Sequence, residues 1–203
     1  MKKLLTLTLA LTMALCMLAL CASCTAETTT DAPEENSPSS LPSAEESAPE
    51  QDQSASKPAQ TLPEGYTLYD NGDISFAYPE SFTKTDGSTV LLTDASNGNN
   101  VTVVYEAKTD VYESLTTEKY NEQYIPVYAE MGLTVKNTAV KQSNHNGIKM
   151  TTITQNVNNG TNTMDQTQYI LTVGDKTYVV TVTEMVKNAE LVSTVLETLT
   201  VLK

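Results

Sequence analysis

The stretch QYILTVGDKTYVVTVTE, residues 168–184, decides the fold. Tyr169, Leu171 and Val173 recur at every second position before Gly174-Asp175, and Tyr178, Val180 and Val182 do so after it. Period two is the spacing of side chains along one face of a β-strand. Glycine at the first of two central positions suits a type II′ turn, whose twist matches that of the strands it joins. The stretch therefore predicts an antiparallel hairpin with one apolar face.

The same chemistry recurs outward from this hairpin. Asn71-Gly72, Asn97-Gly98, Asn146-Gly147 and Asn159-Gly160 are tight-turn signals, because both central positions of a type I′ turn need positive φ. Asp86-Gly87 marks a further reversal. Ile74, Phe76 and Tyr78 share one face of a strand, as do Val101, Val103 and Tyr105. Successive hairpins predict an antiparallel sheet with one face buried. The run GIKMTTITQNV, 147–157, shifts its apolar parity between Met150 and Ile153, which predicts a bulge or a weakly covered strand there.

Two stretches change to helical period. In TTEKYNEQYIPVYAEMG, 116–132, the residues Tyr120, Tyr124, Val127, Tyr128 and Met131 fall on one stripe. Thr116 can cap this helix and Gly132 can end it, while Pro126 in its interior should bend it. In NAELVSTVLETLTVL, 188–202, Asn188 is the expected cap, and Leu191, Val192, Val195, Leu196 and Leu199 form the stripe. Both helices must lie on the sheet to bury these stripes. The fold class is thus α+β, an antiparallel sheet with helices packed on it.

The order of elements carries a resemblance. A first strand ends in ISFAYPESF, 74–82, and a hairpin and a helix follow; a long antiparallel run is turned at Asn146-Gly147 before the strand KTYVVTVTE and a final helix. This resembles the PsbP-like (Mog-type, DcrB-like) α/β/α sandwich, which occurs in bacteria as lipoproteins. The resemblance spans essentially all of 62–203. It implies a binding or envelope-assembly role, since the family has no shared catalytic motif to transfer.

Ahead of this domain the chain has a different character. Met1-Lys2-Lys3 is a short basic head, residues 4–20 are apolar apart from three threonines, and MLALCASC, 17–24, ends in small residues before Cys24. A basic head, an apolar core and a small-residue exit describe a secretory signal. A membrane-spanning anchor over 4–22 is the competing reading, but no cluster of lysines follows to hold its end cytoplasmic. CASC resembles the bacterial lipobox: Ala22-Ser23 precede Cys24, whereas bulky Leu20 precedes Cys21 and Leu15 precedes Cys16. Residues 1–23 are therefore expected to be a lipoprotein signal peptide, with Cys24 lipidated and holding the protein on the outer face of the cell membrane. Two or three acyl chains, at about 0.8 kcal/mol per buried CH₂, anchor stably where one does not.

Residues 24–61 carry five prolines and no aromatic residue, with eight acidic residues against Lys57 alone. Such a composition cannot bury enough apolar surface to offset its ordering entropy, so a disordered acidic tether is expected. Residues 62–203 form one domain by size, with 17 acidic residues against nine lysines. The chain has no arginine. Without that bidentate phosphate clamp, an acidic domain is a poor partner for nucleic acid or anionic headgroups.

Motifs for catalysis are sparse. His145, the only histidine, lies in the turn SNHNG, and no G-x-S-x-G presents a nucleophile. One histidine with no cysteine after Cys24 cannot build a zinc site. DASNGNNVTVVY, from Asp94, offers oxygens at calcium-loop positions 1 and 3, but has Asn99 at position 6 and Tyr105 at position 12. That run and DNGD, from Asp70, are read as turns. No cofactor and no metal is expected. Tyrosine is the unusual enrichment, ten against two phenylalanines and no tryptophan. Tyr78, Tyr105, Tyr169 and Tyr178 are expected in the core; Tyr120, Tyr124 and Tyr128 are weak ligand-site candidates that fit core packing better. The expected function is a non-catalytic extracytoplasmic binding or envelope-assembly lipoprotein, with a protein or small molecule as ligand. The alternative is a small cell-surface hydrolase using a carboxylate pair.

Overall fold

The computed structural model describes residues 62–203; the signal, Cys24 and tether expectations lie outside them. Ten strands, β1 (Tyr66–Asp70), β2 (Ile74–Pro79), β3 (Thr83–Thr85), β4 (Val90–Thr93), β5 (Asn100–Ala107), β6 (Thr134–His145), β7 (Ile148–Asn158), β8 (Thr163–Val173), β9 (Lys176–Glu184) and β10 (Thr200–Val201), form two antiparallel sheets. The larger has the order β3-β4-β5-β9-β8-β7-β6, and the smaller has the order β1-β2-β10. Helix α1 is Thr117–Glu130, helix α2 is Ala189–Thr198, and a 3₁₀ turn spans Val111–Ser114.

Of the four Asn-Gly pairs only Asn146-Gly147 closes a two-residue turn, because Asn71, Asn97 and Asn159 do not take positive φ and sit in longer loops. Asn146 and Gly147 have φ of 51° and 83°, as a type I′ turn requires, and Gly174 has φ of 59° where the β8–β9 turn needs it. Thr116 accepts a hydrogen bond from Lys119 N–H and caps α1. Gly132 N–H donates to Ala129 O and Leu133 N–H to Tyr128 O, the paired bonds of a Schellman ending. Asn188 caps α2 through Leu191 N–H.

Both faces of the large sheet are covered, as the α/β/α resemblance implies and contrary to the one-sided burial expected from the hairpins alone. On one face Tyr169, Leu171, Tyr178, Val180 and Val182 meet Phe76 and Tyr78 of the small sheet and Leu191, Val195 and Leu199 about α2. On the other, Ile153, Val157, Ile170 and Val179 lie under Tyr120, Tyr124 and Tyr128 of α1. Strand β9 is consequently buried on both sides from Thr177 to Glu184.

Four further features differ from expectation. The bulge lies in β6, between Lys136 and Ala139, while β7 keeps an unbroken register with β8. Met150 and Ile153 change parity because they serve opposite cores. Tyr105 is 58% exposed, since β5 outruns its cover there. Its ring tilts against Tyr178 at 5.5 Å, with Lys176 Nζ 4.9 Å from its centroid. Leu196 is only half-buried, and α2 centres on Leu191 and Val195. On α1, Val127 is likewise marginal, and Pro126 lies inside the helix.

Candidate functional site

A groove of about 500 Å³ opens between α2 and the large sheet. Tyr169, Val192 and Leu196 give it apolar lining, and Asn137, Asn156, Asp165 and Glu184 give it polar lining. Register explains the polar set. Asn156 stands opposite Asp165, and Asp165 stands opposite Glu184, so one face carries a row across β7, β8 and β9.

The β6 bulge adds Asn137 to this row. Lys136, not Asn137, is the register partner of Asn156, so a regular strand would turn Asn137 to the other face. At the bulge Asn137 takes φ of 53°, a left-handed conformation that asparagine tolerates better than most residues. Its Nδ2 then donates to Asn156 Oδ1 at 2.5 Å, and Asn156 Nδ2 donates to Asp165 Oδ1. Glu184 Oε1 accepts from Asn188 N–H at 2.5 Å, fixing the residue that caps α2. Tyr169 O–H donates to Val192 O at 3.1 Å. Burial, reinforced by the charge of Glu184, raises the Tyr169 pKa, so this hydroxyl keeps its proton at any physiological pH. The groove thus has one apolar wall, a hydrogen-bonding floor, and Lys187 and Ser193 also lining it.

A second groove, about 620 Å³, lies at the other end of the sheet, by the β6–β7 turn. Two of its polar side chains, Gln142 and Thr151, brace the 3₁₀ turn. Gln142 Nε2 donates to Tyr112 O at 2.8 Å and to Leu115 O at 3.2 Å, and Thr151 Oγ1 lies 2.8 Å from Gln142 Oε1. Tyr112 O–H donates to Glu106 at 3.0 Å, where burial raises the carboxyl pKa.

The α1 tyrosines lie in neither groove. Tyr120, Tyr124 and Tyr128 are buried against the sheet. Tyr120 O–H donates to Gln155 Oε1 at 3.0 Å, and Gln155 Nε2 donates to Gln166 Oε1 at 2.9 Å, so a polar network runs beneath the helix. Burial holds the Tyr120 pKa well above its ordinary value and pushes Tyr124 up to about 12. His145 ends β6, its Nε2 3.2 Å from Asn146 Nδ2. In the Asp94 loop the carboxylate accepts from Ser96 N–H and Oγ and from Asn97 Nδ2, which closes the turn on itself. No group of three metal-capable side chains occurs among the described residues.

Sequence reasoning singled out none of Asn137, Asp165 and Glu184. One signal was available: Val135 and Val140 are both apolar yet an odd number of residues apart, which a regular strand cannot place on one face. The residues that interrupt the period, Asn137-Thr138, are those of the bulge.

No protein-family model and no curated protein matches this chain. Among solved structures it is similar to the solution structure of cyanobacterial PsbP (CyanoP) from Synechocystis. The two have a TM-score of 0.55 and 14% identity, over 73% of this chain and 98% of the other. A structure from Bacteroides thetaiotaomicron aligns at a TM-score of 0.44 and 11% identity, over 66% of this chain and 47% of that one. The fold of 62–203 is PsbP-like.

Proposed function

We propose that the chain is an extracytoplasmic lipoprotein, held at the membrane through Cys24, whose PsbP-like domain binds an envelope component in the groove beside α2 without catalysis. The observation that carries this reading is the pairing of an apolar wall, Val192 and Leu196, with the polar row Asn137, Asn156, Asp165 and Glu184. Such a surface suits an extended ligand with both apolar and hydrogen-bonding groups, a peptide segment or a glycan chain. The PsbP-like fold supports a binding role in place of an enzymatic one.

Photo-crosslinking tests it. A photoreactive side chain at Ser193, in the full-length lipoprotein in its own membrane, should give a discrete adduct, and one at the exposed Gln123 of α1 should not. Asn137→Gly should weaken the adduct, because glycine keeps the positive φ while removing the amide. Adducts of equal yield at Ser193 and Gln123 would refute the reading.

One observation favours hydrolysis as a second reading: Asp165 and Glu184 are register partners on the groove floor. Cross-strand partners lie about 5 Å apart at Cβ, near the carboxyl spacing of about 5–5.5 Å in retaining glycosidases. Both carboxylates already accept structural hydrogen bonds, from Asn156 and Asn188, which supports binding over catalysis. Turnover of aryl glycosides, abolished by Asp165→Asn and by Glu184→Gln, would establish the second reading.

A further inference from the structure

Four Asn-Gly pairs close turns in this domain, and three of the four asparagine side chains are bound to the chain that follows. Asn71 Oδ1 accepts from the N–H groups of Asp73 and Ile74, both at 3.0 Å. Asn97 Oδ1 accepts from Asn99 N–H at 2.8 Å, and its Nδ2 donates to Asp94 at 2.8 Å. Asn159 Oδ1 accepts from Thr161 N–H at 3.0 Å and from Asn162 N–H at 2.8 Å. Asn146 is held differently. It is exposed at the tip of the β6–β7 hairpin, and its one side-chain contact among the described residues is with the neighbouring imidazole, Nδ2 to His145 Nε2 at 3.2 Å. The space about Gly147 is open, since a Cβ built there would meet nothing within 4 Å.

We propose that Asn146 is the residue at which this domain undergoes spontaneous deamidation through a cyclic imide. The backbone nitrogen of Gly147 gives up its proton to hydroxide or water and attacks Cγ of Asn146. The new N–Cγ bond closes a five-membered ring, the Cγ–Nδ2 bond breaks, and Nδ2 leaves as ammonia with a proton returned from solvent. Water then adds to one of the two imide carbonyls and opens the ring to aspartate or to isoaspartate. One water is consumed and one ammonia released, with no change of oxidation state.

One physical feature selects Asn146. A following glycine has no Cβ to obstruct the approach of its nitrogen to Cγ, but all four pairs share that. The difference lies in the carboxamide. Local bonds from a carboxamide oxygen to the N–H groups two and three residues on hold the side chain away from its own peptide bond. Asn71, Asn97 and Asn159 must each break two hydrogen bonds before Cγ can turn toward the attacking nitrogen, whereas Asn146 has only the exposed contact with His145 to give up.

The product would change the end of the sheet away from α2. Gly147, Ile148 and Lys149 line the 620 Å³ groove, so an aspartate at 146 adds a negative charge next in sequence to its lining. Isoaspartate also inserts a carbon into the main chain of a two-residue turn, and the length of that turn sets the β6–β7 register.

Peptide mapping by mass spectrometry, after the full chain has stood in mildly alkaline buffer, measures conversion at each pair. The acid form should accumulate at Asn146 severalfold faster than at Asn71, Asn97 or Asn159. Equal rates at the four, or a lead at any of the other three, would overturn the proposal. The same incubation in concentrated urea should bring the four rates together, because the turn bonds are lost on unfolding. A lead of unchanged size in urea would also overturn it, by tracing the preference to neighbouring residues and not to the fold.

Discussion

Lys176 Nζ lies 2.8 Å from Asp73 Oδ2, joining the first residue of β9 to the residue just before β2, 103 positions earlier. Tyr178 O–H donates to the same oxygen at 2.5 Å, and Lys203 pairs with the other one. The main chain closes here as well, with Leu202 N–H donating to Asp73 O at 2.9 Å. One buried carboxylate therefore ties the small sheet to the large one.

The bond from Lys176, with those from Lys203 and Tyr178, holds the Asp73 pKa far below its ordinary value of 3.8. A depressed folded-state pKa contributes stability above the unfolded value, and that stability is lost as pH falls toward the folded one. Asp73→Asn should therefore melt below the wild type at neutral pH, with the gap closing as pH drops below about 4. Thermal melts across the acid range check this; a gap independent of pH would mean that charge plays no part.

Helix α2 is docked through Leu191 and Val195, both fully buried, while Leu196 is half-exposed over the groove. Leu191→Ala should cost roughly 2–5 kcal/mol, and Leu196→Ala clearly less. Glu197→Ala, on the outer face, should stay within about 0.5 kcal/mol. Urea denaturation orders the three; a cost at Leu196 matching that at Leu191 would contradict the docking.

Beneath α1, Tyr120→Phe removes the donor to Gln155 Oε1 and strands a buried acceptor. Leaving such a group unsatisfied costs about 1–3 kcal/mol. Tyr124→Phe, which breaks no hydrogen bond among the described residues, should be close to neutral. Denaturation midpoints of the two variants separate the network from simple ring packing.

Cys24→Ala should release the mature protein from the membrane or stall its processing, because the proposed acyl attachment point is gone. Membrane fractionation with lipid labelling reads this directly. Undiminished labelling would move the attachment to Cys21.

Much of the fold was legible because its signals are local. Asn146-Gly147 and Gly174-Asp175 state their turns through φ alone, and Thr116, Gly132 and Asn188 mark helix ends through bonds to residues close by in sequence. Period two gave the strands, and period 3.6 the stripe of Tyr120, Tyr124 and Tyr128. Tyr105 shows where such signals fail. Its parity with Val101 and Val103 is correct, but exposure depends on where the covering layer stops.

By itself, then, the amino-acid sequence determined the antiparallel hairpins, the two capped helices and the α+β class, all consequences of backbone preferences acting over a few residues. Tertiary structure alone decided that the strands divide into two sheets, which residues each face of the larger buries, and that Asp73 meets Lys176. It alone brought Asn137, Asn156, Asp165 and Glu184 into one row. The physical reason is cross-strand register: these four residues come from four strands, and one bulge in β6 chooses which face Asn137 joins.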